Sequence, residues 1–262
     1  MNDDNRGIFD YFERFAEINT GLVRQFLKRF PFHKSYIKKD VLDFGSGTGC
    51  LCFELAEKCG SITGIDTDRL LCEYSKKKLR TFPESYQNKI TFLNRELESL
   101  EDSSYDVIFS KDVFEHTENT ETLLEEMYRI LKPGGECLIG FGPLWYSPYG
   151  DHGIVKRAFG FSFPWLHLIL GEKNIVRAFN NSSLHSKEFS KSKITNLKSY
   201  LNLKPGEYFR EIIQKSSFEV IWYGENINEN WFLNLFKSFM VNSILSRFFI
   251  RNIYCILKKP NS

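Results

Sequence analysis

Several things are missing from this 262-residue chain. It opens on MNDDNRGIFDYF and lacks the basic stretch followed by an apolar run that marks a secretory leader, so a cytoplasmic setting is the expectation. It has no C-x-x-C pair. Its six cysteines, Cys50, Cys52, Cys59, Cys72, Cys137 and Cys255, are scattered with no histidine at ligand spacing, so reduced thiols are expected and no metal site. No internal repeat, no tight basic run and no N/D-P-P-Y/F motif is present, and a nucleic-acid partner is not expected. A long uninterrupted apolar run is also lacking. The nearest approach, WFLNLFKSFMVNSILSRFFI at 231–250, is broken by Asn234, Lys237, Asn242 and Arg247, which makes it a poor bilayer span. Packing on the core or on a partner subunit, or lying on a membrane surface, both stay open for it, so peripheral membrane contact is a candidate partner relation.

What is present suits a sizeable core. Hydrophobic residues make up 42% and aromatics 16%, the latter resting on 25 phenylalanines, which leaves material for an apolar pocket. The net charge of +2 conceals an asymmetry. Residues 1–150 hold 19 Lys+Arg against 25 Asp+Glu, and residues 151–262 hold 16 against 8. The basic part could face an anionic partner, or it could be a solvated face.

Apolar strand-like runs at 41–44, 61–65, 90–93, 105–110 and 136–142 alternate with helical patterns at 49–58, 68–80 and 120–131. Such alternation predicts a parallel, doubly wound sheet. Ile8, Phe12, Phe15, Leu22, Phe26 and Phe30 predict a helical cap before it, with Gly21 as the place where it could break. Residues 205–217 read as a further helix, and 218–224 and 252–259 as two more strands.

The stretch VLDFGSGTGC, from Val41 to Cys50, is a strand feeding a glycine turn and a helix expected to begin at Thr48. That arrangement suits the polar part of a nucleotide-like ligand. The dinucleotide fingerprint needs a third glycine three residues after the second, and Cys50 stands there, which disfavours a nicotinamide oxidoreductase.

Four segments in order, VLDFGSGTG, TGIDTD, FLNRELESL followed by YDVIFSKDVFEH, and YRILKPGGECLIGFGP, resemble class I S-adenosylmethionine-dependent methyltransferases, of the type 11 small-molecule group. The resemblance is close over residues 38–143 and loose over the last two strands. It implies an α/β fold with a Rossmann-like doubly wound seven-stranded sheet, its last strand antiparallel, an N-terminal helical cap and a helical lid insertion. On that reading the chain is a single domain: a cap at 1–37, a cofactor-binding core at 38–143, an acceptor lid at 144–204, and C-terminal core strands at 205–262 with a helical insertion at 229–250. The implied cofactor is S-adenosyl-L-methionine. By position, Gly45, Gly47 and Gly49 resemble the glycines that let it approach the backbone, and Asp43 the carboxylate near its ammonium. Asp66 resembles the acid that takes both ribose hydroxyls, Glu96 the acid at the adenine amino group with Leu97 beside the ring, and Ser110, with Lys111, the main chain at the methionine end.

Methyl transfer needs a positioned nucleophile and excluded water, with a base where the acceptor is a hydroxyl or acidic carbon. The candidate bases are His152, in a glycine-containing turn, and His116, in FEH. For each, a structural role is the alternative. Trp145, Tyr146, Tyr149, Phe161, Phe163 and Trp165 either line a lid over the acceptor or only pack the insertion on the sheet. His33, His167 and His185 have no partner that the sequence indicates. The expected function is methylation of a small, partly apolar acceptor on O, N or C. The alternative is a cofactor-binding pseudo-enzyme or regulatory subunit without turnover. Neither the acceptor nor the oligomeric state is legible.

Overall fold

The computed structural model describes residues 6–30, 33–181, 195–225 and 246–261. Its centre is a seven-stranded sheet: β1 (Asp40–Phe44), β2 (Ser61–Asp66), β3 (Ile90–Asn94), β4 (Tyr105–Lys111), β5 (Leu131–Phe141), β6 (Glu219–Glu225) and β7 (Ile253–Lys258). The order is β3-β2-β1-β4-β5-β7-β6. The pairs through β5 are parallel, and β7 runs antiparallel to both β5 and β6. The seven expected strands are all present. Only β5 is notably longer than expected: it pairs with β4 already at Leu131, directly after the preceding helix stops at Ile130, and its register shifts before Glu136, where Gly134 is left-handed (φ 75°).

Successive side chains of a strand point to opposite faces, and both faces of this sheet are covered. Leu42, Ile65, Ile108 and Ile139 enter one apolar layer, packed under α5 (Thr120–Ile130) and α9 (Gly206–Lys215). Their neighbours Val41, Ile62, Val107, Phe109 and Leu138 enter the other. That second layer is closed by α1 (Arg6–Lys28), through Val23 and Phe26, and by α2 (Cys50–Leu55). Beside them lie α3 (Arg69–Leu79) and the short α4 (Glu84–Gln87). All six cysteines are buried free thiols.

Helix α1 runs unbroken through Gly21. Glycine costs about 1 kcal/mol in a helix interior, and the buried contacts of Val23 and Phe26 on the following turn hold the helix through it. Helix α2 begins one residue after Gly49, which takes a left-handed conformation (φ 77°), and not at Thr48.

Between β5 and α9 the insertion carries α6 (Ile154–Phe159), α7 (Leu166–Leu170) and α8 (Glu172–Asn181). It has a small apolar centre of its own, formed by Ile154, Val155, Leu166, Ile175 and Leu197. Of the apolar segment 231–250, residues 231–245 lie outside the described residues, as does His185. Ser246–Phe248 form a short 3-10 turn, followed by buried Ile250. Among the described residues no helix is long and apolar enough to cross a membrane.

Candidate functional site

The turn after β1 is held from below by β2. The Gly45 and Ser46 N–H groups both donate to the Ile65 carbonyl, at 3.0 and 2.9 Å. Gly45 (φ 73°) and Gly49 are compulsory on two counts. A side chain is strained at those dihedrals, and an added Cβ would stand 2.3 Å from Val113 at Gly45 and 2.5 Å from Phe92 at Gly49. Gly47 (φ 52°) differs: no atom lies within 4 Å of where its Cβ would be. The loop turns that bare edge toward open space.

Asp66, at the end of β2, accepts the Gly47 N–H on one oxygen at 2.9 Å and the Asp68 N–H on the other at 2.8 Å. These two bonds fix the carboxylate between the glycine loop and the start of α3. Asp68, not Asp66, caps α3, accepting from the Leu70 and Leu71 N–H groups. Asp43, 2% exposed, accepts from Cys52 Sγ at 3.3 Å. Burial raises its carboxyl to about 7, against the Cys52 bond, with Asp66 adding to the rise and Lys111 opposing it.

On the other side of the same edge, Ser110 is buried and its hydroxyl has no partner. Lys111 pairs with Asp112 and reaches Asn19 of α1, which places α1 across this edge as well. Glu96 is exposed at the end of β3. The Leu97 side chain lies in the core, so only its main chain can meet a ligand there.

The two histidines expected as bases come together. Their rings meet edge to face with centroids 5.2 Å apart, and the Tyr200 ring stands 5.3 Å from His116. His116 Nδ1 lies 2.7 Å from the Tyr200 carbonyl and His152 Nε2 lies 2.8 Å from the Pro143 carbonyl. A carbonyl only accepts, so those nitrogens carry the protons, leaving Nε2 of His116 and Nδ1 of His152 as the basic ones. Burial, with His116 nearby, lowers His152 to about 4, so it is neutral near pH 7 and a weaker base than a free imidazole. His116 is exposed.

Glu115 was not among the expected site residues. It is 2% exposed and ties the ends of β4 and β5 together by accepting the Gly142 N–H at 3.0 Å. Burial pushes its carboxyl well up, and the Asp112 charge adds to that. Its neighbour in FEH was the only sequence signal for it. Tyr200 and Asn202 were likewise missed. Asn202 anchors the insertion to the post-β4 turn, donating to the Phe114 carbonyl at 2.6 Å, while its own N–H donates to Glu115 O at 2.8 Å.

The six lid aromatics divide. Trp145 meets the His167 ring, and Tyr146 and Trp165 pack on Phe248 and Phe249, whereas Tyr149, Phe161 and Phe163 are exposed. His167 is buried, with its Nε2 2.6 Å from the Trp145 carbonyl, and His33 pairs with Glu136. No group of three or more potential metal ligands occurs among the described residues.

Residues 42–139 match the family model described as "Methyltransferase domain". Arsenite methyltransferase of Mus musculus is 34% identical over 107 residues, covering 37% of this chain and 28% of that protein. Ubiquinone biosynthesis O-methyltransferase of Rickettsia typhi is 28% identical over 124 residues, 47% of this chain and 49% of that protein. The chain thus spans from under a third to about half of the length of these relatives. The crystal structure of Haemonchus contortus phosphoethanolamine N-methyltransferase 2 in complex with S-adenosyl-L-methionine superposes with a TM-score of 0.56 at 18% identity, over 92% of this chain and 52% of that one. The family match is confined to residues 42–139, and the sheet has the fold of class I methyltransferases.

Proposed function

We propose that this chain, built around the methyltransferase domain at 42–139, transfers a methyl group from S-adenosylmethionine to a small, partly apolar acceptor on O, N or C. The observation that carries this reading is the Asp66 carboxylate, pinned at the end of β2 between the glycine loop and the start of α3. Two ribose hydroxyls need such a group. The bare edge of Gly47 and the unpartnered hydroxyl of Ser110 border the same strand ends and fit a ligand laid across them. Asp43 would face its cationic end. Glu96 and the Leu97 main chain would meet the base, and Gly45 and Gly49 keep the loop in shape.

The cofactor, when bound, supplies an activated methyl group on a sulfonium. The chain's task is then to place the nucleophile and exclude water. His116, with Nδ1 fixed by the Tyr200 carbonyl, is exposed at this edge and suits the removal of a proton from an acceptor hydroxyl. His152 supports that ring edge to face. Helix α1 reaches this edge through Asn19 and the insertion through Tyr200 and Asn202, and the buried thiols suit a reducing, cytoplasmic setting.

The direct test incubates the protein with a metabolite extract and methyl-labelled S-adenosylmethionine. One labelled species should appear together with S-adenosylhomocysteine. Cofactor binding with no labelled product would instead make the chain a subunit that holds the cofactor without turnover.

A further inference from the structure

Five of the eleven exposed large apolar side chains among the described residues lie between 149 and 169: Tyr149, Phe159, Phe161, Phe163 and Ile169. Phe161 and Phe163 are 60% and 48% exposed on the turn between α6 and α7, and Ile169 on α7 is 73% exposed. Loop tips do not ordinarily carry such residues, because each leaves apolar area in water.

The charges around them have one sign. Within 144–181 the only acids are Asp151 and Glu172. Asp151 is buried, accepting the Val155 N–H, and Glu172 accepts the Leu197 N–H. Lys156, Lys173 and Arg177 are exposed on the flanking helices. The other exposed apolar row, Phe15, Ile18 and Leu22 on α1, sits beside exposed Asp10 and Glu17 and lacks this bias. The 3-10 turn at Ser246–Phe248, which ends the apolar run, also docks on this lobe: Trp165 Nε1 donates to the Phe248 carbonyl at 3.0 Å.

We propose that the insertion is a docking surface for an anionic lipid bilayer, with Phe161, Phe163 and Ile169 entering the interface and Lys156, Lys173 and Arg177 meeting the headgroups. Aromatic side chains favour the headgroup level, and cations near an anionic leaflet are drawn to it over about a Debye length. The exposed charge here is positive throughout, which complements the negative surface potential of an anionic leaflet. This inference stands apart from the proposed activity, since it concerns a face and not the crevice.

The test is co-sedimentation of the purified chain with neutral phosphatidylcholine vesicles and with vesicles containing about one third phosphatidylglycerol, at low and physiological salt. The chain should pellet with the anionic vesicles, less so as salt rises, and little with the neutral ones. K156E/K173E/R177E should lower partitioning by about a hundredfold, and F161S/F163S/I169S by about tenfold or more. S-adenosylhomocysteine affinity, measured alongside, reports folding: should the apolar set lose it, the charge set decides. No sedimentation of the parent, equal sedimentation of parent and charge set, or a lipid-free dimer abolished by the same substitutions would overturn the proposal, the last pointing to a second copy as the occupant.

Discussion

The sheet edge and the insertion lobe are joined by hydrogen bonds but are built differently. The edge is made of strand ends whose side chains run into two large apolar layers, so Asp66, Ser110 and the glycine loop are placed by the core itself. The lobe has its own centre of five buried apolar residues and is tied to the edge by polar contacts, chiefly those of Asn202 with Phe114 and Glu115 and of His116 with Tyr200. Rigid packing suits a cofactor that is always the same molecule. A lobe with a separate core can differ in its surface, and so in its acceptor or partner, without disturbing the sheet.

The sharpest way to break this division is to remove one large side chain from each core. Phe109→Ala, at a fully buried position in the sheet, should cost about 3 to 5 kcal/mol and lower the denaturation midpoint of the whole protein. Ile175→Ala, equally buried but in the lobe, should cost about 2 kcal/mol or somewhat more, while S-adenosylhomocysteine affinity stays close to the parent's. Urea denaturation and calorimetry on the same two variants check this. Loss of cofactor affinity in Ile175→Ala would show that the two regions fold as one unit.

A smaller effect sharpens the electrostatics of the edge. Asp43 carries a carboxyl raised to about 7 by burial. A cationic ligand group beside it favours the ionised form, so binding releases a proton and tightens as pH rises through that value. Affinity for S-adenosylmethionine should be about tenfold greater at pH 8 than at pH 6, and Asp43→Asn should flatten the dependence. The sign for folding is the opposite. With its folded pKa above the unfolded one, Asp43 costs stability progressively between about pH 4 and pH 7, and Asn should remove that loss as well.

The contrast also explains what the sequence could show. A sheet covered on both faces writes its central strands as apolar runs, so Val41 to Phe44 and Tyr105 to Ser110 could be placed within a residue or so. The glycine turn was legible because its dihedrals and the crowding at Val113 and Phe92 admit little else. Gly21 misled locally, since the packing that overrides its helix cost comes from the distant sheet. Glu115, Tyr200 and Asn202 were not legible, because their meaning lies in contacts across 27 to 88 positions of chain. His152 read as a candidate base from its place in a glycine-containing turn; burial, which spacing does not report, lowered it.

The central claim is that the crevice holds S-adenosylmethionine through Asp66, with the histidine pair serving the acceptor and not the cofactor. Isothermal titration of S-adenosylhomocysteine into the parent, Asp66→Ala and His116→Ala tests it in one series. Leaving the ligand hydroxyls unpaired costs about 1 to 3 kcal/mol, so Asp66→Ala should bind roughly tenfold or more weakly, and His116→Ala should match the parent. Equal affinity in the parent and Asp66→Ala, or an unbound parent, would contradict the account.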